Sequence, residues 1–202
     1  MYLSKVNLDL RSASVRQALR DCGDMHRNIQ KLFSASRSDS GVLYRVYQQE
    51  SGCCVYTMSE TAPVETEESI RNGMRVTGSR DVSAMEELFV PGKRFRFQLL
   101  TMPYKKVADG VSKNSRRRYL RTPEERMAWL QRKGEQYGFE ILDMEEQPGE
   151  TLSSYKNGHM LYLSTVKYSG VLCVTEQESF CRAWKYGIGA EKAYGLGMLM
   201  VQ

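Results

Sequence analysis

Apolar and polar positions alternate over Tyr2–Leu8: Tyr2, Ser4, Val6 and Leu8 are set against Leu3, Lys5 and Asn7. That period of two predicts a short strand. Ser12 or Ser14 is placed to cap a following helix. From Val15 to Phe33 the spacing becomes helical, with Gly23 as the expected break or kink. Beyond it Met25, Ile29, Leu32 and Phe33 recur at i, i+4, i+7 and i+8, which makes one apolar face. Val42–Tyr47 and Cys53–Met58 flank the polar stretch Gln48–Gly52 and predict a hairpin. Thr61–Asn72 fits no single period, and Met74–Val82 reads as a strand.

Val90-Pro-Gly-Lys93 has turn chemistry and marks the expected domain boundary. After it Phe95, Phe97 and Leu99 alternate with Arg94, Arg96 and Gln98, a strand pattern. Lys105–Arg121 holds few apolar residues and predicts a long basic loop. Thr122-Pro-Glu-Glu is a helix start: a cap, a proline at the first helical position and two acids in the first turn. That helix should run to about Tyr137 with Met127, Leu130 and Tyr137 inward. Phe139–Glu145 and Leu161–Val174 are strand candidates, the second long enough to bend or to contain a hairpin. Glu176–Tyr186 reads as a helix with the stripe Phe180, Cys181, Trp184, followed by a glycine-rich turn and a last strand, Met198–Val201. Each half therefore reads β-α-β-β-α-β. The expectation is an α+β chain of tandem ferredoxin-like (RRM-like) domains, residues 1–89 and 93–202, each an antiparallel sheet with helices on one face.

Composition narrows the chemistry. In 202 residues, 41% are apolar, enough for a true core. No run approaches the ~20 apolar residues of a membrane span. The first residues lack the basic leader, apolar block and cleavage site of a signal peptide, so a cytoplasmic protein without membrane contact is expected. The five cysteines (Cys22, Cys53, Cys54, Cys173, Cys181) are an odd number with no C-x-x-C, and His26 and His159 are the only histidines. That set matches neither a disulfide framework nor the usual metal spacings, so no metal and no cofactor is expected. Most of the cysteines read as small buried hydrophobes. The net charge of +5 is unevenly spread: Lys93–Lys133 carries thirteen Lys/Arg against three acids, a segment of +10, while the rest carries −5. A solvated charged face mixes both signs; a block of one sign is the footprint of a polyanion partner.

Three features can carry chemistry. His26 falls at the edge of the apolar helical stripe, with Arg27, Gln30 and Lys31 on the polar side beyond it. Such an edge position suits an imidazole acting as general acid or base, although a lone histidine on a helix is more often structural. Lys31 lies about 140° further round an ideal helix and does not share the face of His26. The segment Gly187-Ile-Gly189-Ala-Glu-Lys192-Ala-Tyr-Gly195-Leu-Gly197 lacks Walker spacing and precedes a strand. It is either an ordinary turn or a place where backbone N–H groups approach a phosphate beside Lys192. Lys113-Asn-Ser-Arg116-Arg117-Arg118-Tyr119-Leu-Arg121 combines phosphate-binding guanidinium groups with a stacking ring.

The start Met1-Tyr-Leu-Ser-Lys-Val-Asn-Leu, the block Met25-His26-Arg27 leading to Lys31-Leu32-Phe33, Val42-Leu-Tyr-Arg45-Val and the glycine-rich tail resemble the CasE (Cse3) family. These are CRISPR repeat endoribonucleases of the type I-E system. The blocks lie at both ends of the chain and in order; none is decisive alone. The resemblance implies tandem ferredoxin-like domains and metal-independent cleavage at the 3′ base of the repeat hairpin. The upstream 2′-OH would attack the phosphate, leaving a 2′,3′-cyclic phosphate and a 5′-OH. It implies as partners the CRISPR repeat RNA hairpin and other Cascade subunits. Carried over by position, His26 is the catalytic histidine, protonating the leaving 5′ oxygen or accepting the 2′-OH proton, and Lys31 stabilises charge on the phosphorane. Arg116, Arg117 and Arg118, with Arg27, Lys105, Lys113 and Arg121, would bind the RNA, and Gly187, Gly189, Lys192 and Gly195 would approach it near the stem. Two positions depart from the family pattern: Gly23 stands where many relatives have tyrosine, and Ala190-Glu191 where a basic residue is expected. These leave open a hairpin-binding subunit of the same assembly that does not cut. A generic ferredoxin-like RNA-binding protein is a third reading, but it calls for stacking aromatics in an RNP motif, and the sequence contains none.

Overall fold

A computed structural model describes residues 1–33, 41–49, 52–108, 115–156 and 158–202, with only the backbone of Gln49, Ala108, Ser115 and Arg116; Lys113 lies outside the described residues. The first half runs β1 (Tyr2–Leu8), α1 (Ala13–Arg20), α2 (Cys22–Gln30), β2 (Leu43–Gln49), β3 (Gly52–Ser59), α3 (Glu67–Arg71) and β4 (Met74–Asp81). Its four strands form an antiparallel sheet in the order β2-β3-β1-β4. The second half runs β5 (Arg94–Thr101), β6 (Tyr104–Ala108), β7 (Ser115–Tyr119), α4 (Pro123–Tyr137), β8 (Phe139–Lys156), β9 (His159–Val174), α5 (Gln177–Tyr186) and β10 (Leu199–Val201). Its main sheet has the order β10-β5-β9-β8. In both sheets the first and third strands are central and the second and fourth are at the edges, which is the ferredoxin-like arrangement. Among the described residues no helix is long and apolar enough to cross a membrane.

Local chemistry accounts for most boundaries. Ser12 caps α1, accepting from the Val15 N–H, and Thr122 caps α4, accepting from the Glu125 N–H. The helical break falls at Asp21 and not at Gly23. Asp21 is extended (φ −128°, ψ 107°), ending α1 while its carboxylate caps α2. Gly23 sits inside the first turn of α2. The stripe Met25, Ile29, Leu32 and Phe33 packs on Val6, Tyr44 and Val55 of the first sheet, as its spacing required. On α4 the inward set is different from the expectation: Trp129 and Leu130 are buried, whereas Met127 and Tyr137 are only half-buried.

Two expectations need correction. The basic stretch Lys105–Arg121 is not simply a loop but contains the β6–β7 hairpin, with Lys105 opposite Arg118 and Lys106 opposite Arg117. Both of its faces are polar, so no apolar alternation announced it, and like charges face one another across it, an arrangement that is unfavourable by itself. The long segment after Leu161 does not fold back on itself. It pairs as one strand with β8, which extends through Pro148 by means of register shifts at Ile141/Asp143 and Pro148/Thr151. As an edge strand, β8 tolerates the proline.

The turn at Val90–Lys93 lies between the two sheets, yet the residue before it is tied to the second. Phe89 is fully buried, with edge-to-face contacts to Phe95, Phe180 and Trp184 at 5.4, 4.9 and 5.1 Å. The same apolar cluster reaches Leu43 and Met58 of the first sheet. Cys22, Cys53 and Cys54 are buried, and burial pushes the Cys22 and Cys53 thiols up to about 11, so both act as apolar filler. Replacing Phe89 with Ala should cost about 3–5 kcal/mol of unfolding free energy. Urea denaturation followed by tryptophan fluorescence checks this; a loss below about 1 kcal/mol would mean that the segment is not an anchor.

Candidate active site

One carboxylate organises the neighbourhood of His26. Asp21 Oδ1 accepts from the Gly23 N–H at 2.7 Å and the Asp24 N–H at 3.2 Å, which starts α2. The same oxygen accepts the Ser154 hydroxyl at 2.8 Å, and Oδ2 accepts the Tyr155 N–H at 3.0 Å. Ser153 adds a bond from its hydroxyl to the Arg20 carbonyl at 2.9 Å. The end of β8 is thus fastened to the helix that carries His26. Burial pushes the Asp21 carboxyl up, but the bonds from Tyr155, Ser154 and Gly23, with the charge of Arg27, outweigh it and hold it below its ordinary value. The approach is so close that a Cβ on Gly23 would sit 2.6 Å from Ser154 Oγ. A side chain at 23 would therefore have to displace the Ser154 hydroxyl from its place on Asp21.

His26 is half-buried and lies parallel to the Tyr44 ring, with centroids 6.3 Å apart and planes 14° from parallel. Tyr44 is 1% exposed, and its hydroxyl donates to the Ala193 carbonyl at 2.9 Å. Gly195, at φ +79°, lies over the Tyr44 ring, where a Cβ would be 2.9 Å from a ring carbon. Tyr44 therefore braces both the histidine and the glycine-rich loop. It was not singled out from the sequence because it alternates with Val42 and Val46 like any core position.

Around these residues is a cleft of about 510 Å3 between α2, the end of β8, β7 and the loop Gly189–Tyr194. His26, Arg27, Arg117, Tyr155, Glu191 and Lys192 are among its lining. Burial, and then the charge of Lys133, push the Lys192 ammonium below the ordinary lysine value, so an anion brought into the cleft is favoured. Arg117 stacks on Tyr104 at 5.1 Å and is paired with Glu191 across the cleft. Glu191 is the one non-glycine residue with positive φ among the described residues, at +59°. That conformation costs energy for a residue with a Cβ.

The sequence candidates divide accordingly. His26, Arg27, Arg117, Gly189 and Lys192 meet at the cleft. Lys31 does not: its ammonium bonds Glu68 Oε1 at 2.6 Å. Lys105 and Arg118 share Glu125 of α4, at 3.6 and 2.6 Å, on the face of the basic hairpin opposite to that of Arg117. Arg121 lines a neighbouring hollow with Tyr119 and Tyr162. Gly187 and Gly195 face protein, beside the Gly197 carbonyl and Tyr44. Tyr155, Ser154 and Asp21 are site residues that the sequence did not reveal.

The profile described as CRISPR associated protein matches residues 1–202. The chain belongs to this family, in its CasE/Cse3 branch. It is 26% identical to the CRISPR-associated endoribonuclease Cse3 of Thermus thermophilus, covering 100% of this chain and 99% of the relative. It is 29% identical to the Cascade subunit CasE of Escherichia coli, over 98% of each chain. The structure of a Cse3 endoribonuclease bound to a 19-nucleotide RNA superposes with a TM-score of 0.86 at 27% identity, each chain covered in full. Within the CasE/Cse3 frame, the Asp21 bonds are what keep the histidine helix and the second sheet in register.

Removing that carboxylate tests the frame. Asp21→Ala should lower stability at pH 7 by about 2 kcal/mol or more, through loss of the cap and of the two bonds to β8. A carboxyl held low in the folded state stabilises above its unfolded value of about 3.9 and loses that contribution as the pH falls through the folded value. Thermal melts from pH 7 to pH 2 should therefore show the gap between parent and variant closing below about pH 4. A gap independent of pH would remove the charge from the argument.

Proposed function

We propose that this protein is a CRISPR repeat endoribonuclease: it cuts precursor RNA at the 3′ base of the repeat hairpin and stays on the guide RNA within Cascade. The observation that carries the reading is the cleft, where one half-buried imidazole stands among Arg27, Arg117 and Lys192. Cleavage by the neighbouring 2′-OH needs a group to move a proton and cations to stabilise charge on the phosphorane. His26 supplies the first, accepting the 2′-OH proton or protonating the departing 5′ oxygen. Lys192 and Arg117 are placed for the second. Lys31 joins them only by leaving Glu68, and with both side chains more than half exposed the pair is a weak one. Residues 1–89 and 93–202 act in this reading as two domains with the cleft between them. The RNA relatives named above, and a Thermus thermophilus Cse3 structure with an RNA representing a pre-cleavage complex, support it.

The basic hairpin is the docking arm. Its cations are held by Glu125 and Glu191 in the free protein, and stem phosphates would replace these acids. A-form RNA presents backbone and shape to such an arm, because its major groove is too narrow for side chains to read. The attachment of Lys31 to Glu68 favours a second reading, a subunit that binds the hairpin without cutting.

Incubation with repeat RNA in EDTA separates the two readings. Cleavage should persist, should stop when the nucleotide before the cut is 2′-deoxy, and should be abolished by His26→Ala with hairpin affinity kept within a few-fold. Tight binding of intact RNA by the parent protein would establish the second reading, and cleavage by His26→Ala would remove the histidine from its role. Changing Arg116, Arg117 and Arg118 together to Ala should weaken binding and flatten the dependence of log Kd on log salt, since fewer counterions are released. An unchanged slope would show that the arm does not meet phosphate.

A further inference from the structure

Tyr155 is not used by the chemistry above, yet its placement is more constrained than that of most surface rings. Its side chain is among the most exposed large apolar groups of the described residues, at 62%. Its backbone, by contrast, is fixed: its N–H bonds Asp21, and the two residues before it bond Asp21 and Arg20. An exposed aromatic ring on an immobilised backbone presents a flat apolar surface at little entropic cost. The residue lines the same cleft as His26.

The ring is not isolated. In the β8–β9 register Tyr155 is opposite Met160 and Ser153 is opposite Tyr162, so Tyr155, Met160 and Tyr162 share one face of the hairpin end. Met160 and Tyr162 are 49% and 64% exposed. Tyr162 in turn borders the hollow that holds Tyr119 and Arg121. A ledge of exposed rings thus leads away from the cleft, flanked by Arg117 on one side and Arg121 on the other. Apolar flat faces edged with guanidinium groups match a nucleobase with its phosphate, which can take the place of Glu191 on Arg117; an apolar protein segment brings no anion to the guanidinium groups.

We propose that Tyr155 is the first position of a nucleobase-stacking subsite, taking the unpaired nucleotide that adjoins the scissile phosphate, with Tyr162 continuing the ledge. The inference rests on the proposed RNA cleavage at the cleft. The base is an unpaired one because bases inside a helical stem are already stacked on both faces, while a flanking base offers a free face. Stacking there would hold the sugar and phosphate at the stem base against His26, so Tyr155 selects where the strand lies and leaves proton transfer to the histidine.

The test uses the full-length protein and two uncleavable RNAs, both 2′-deoxy before the cut: the repeat hairpin with single-stranded flanks, and the hairpin alone. The parent protein should bind the flanked RNA more tightly, and Tyr155→Ala should remove on the order of tenfold or more of that advantage. Affinity for the hairpin alone and the melting temperature should stay unchanged. Tyr155→Phe and Tyr155→Trp should retain the advantage. 2-Aminopurine placed at each flanking nucleotide in turn should be quenched at one position by the parent protein and not by Tyr155→Ala. An abasic nucleotide at that position should lower affinity as much as Tyr155→Ala, with no further loss when the two are combined. The proposal is overturned if Tyr155→Ala binds both RNAs like the parent. It is equally overturned if Tyr155→Phe loses as much as Tyr155→Ala, which would assign the hydroxyl in place of the ring face. Because the RNAs are uncleavable, these outcomes are independent of whether His26→Ala abolishes cutting, so either idea can fail without the other.

Discussion

The Asp21 carboxylate ties the helix that carries His26 to the second sheet at the point where chemistry is expected, adding polar bonds to the apolar cluster that the two sheets share. Two of its four hydrogen bonds begin the helix that carries His26, and two hold the end of the edge strand β8. A single residue therefore sets both the direction of the helix and the position of the strand that forms the opposite lip of the cleft. Because each oxygen is shared between a local and a distant partner, or committed to a distant one, neither side can shift without cost to the other. A Cβ at Gly23 would press on the Ser154 hydroxyl that makes one of these bonds.

Electrostatics make the free protein a self-balanced version of the complex it is proposed to form. The basic hairpin sets cation against cation across its strands, and Glu125 and Glu191 answer part of that repulsion. These pairs are partly exposed and individually weak, so phosphates can displace the acids without a large penalty. Lys192, whose charge burial disfavours, gains most from an incoming anion. Glu191, with its positive φ, lines the cleft and is paired with Arg117.

Much of the architecture was legible in the order of residues. The strand at Tyr2–Leu8, the stripe from Met25 to Phe33 and the Thr122 cap appear where the residue pattern put them; the element order of each half also appears, although Thr61–Asn72 gave no period for the short α3 and the β6–β7 hairpin is an addition. The misses have specific causes. The β6–β7 hairpin has no apolar face to alternate. β8 passes through a proline and a register shift that look like loop. The inward face of α4 turns on Trp129, which lies beside the expected stripe and packs against the second sheet's core.

For the site, the sequence by itself determined the inventory: a histidine at the rim of a buried helical face, a block of arginines and a glycine-rich tail. Only the tertiary structure decided which of them meet. It brought His26, Arg117 and Lys192 to one cleft and left Lys31 on Glu68. It also recruited Asp21, Tyr44 and Tyr155, whose distant partners no local pattern announces. The physical reason is distance along the chain. Asp21 meets Ser154 across 133 residues, and Tyr44 meets Ala193 across 149. Periodicity records which way a side chain faces within its own element; which distant partner it then finds is settled by the packing of whole sheets.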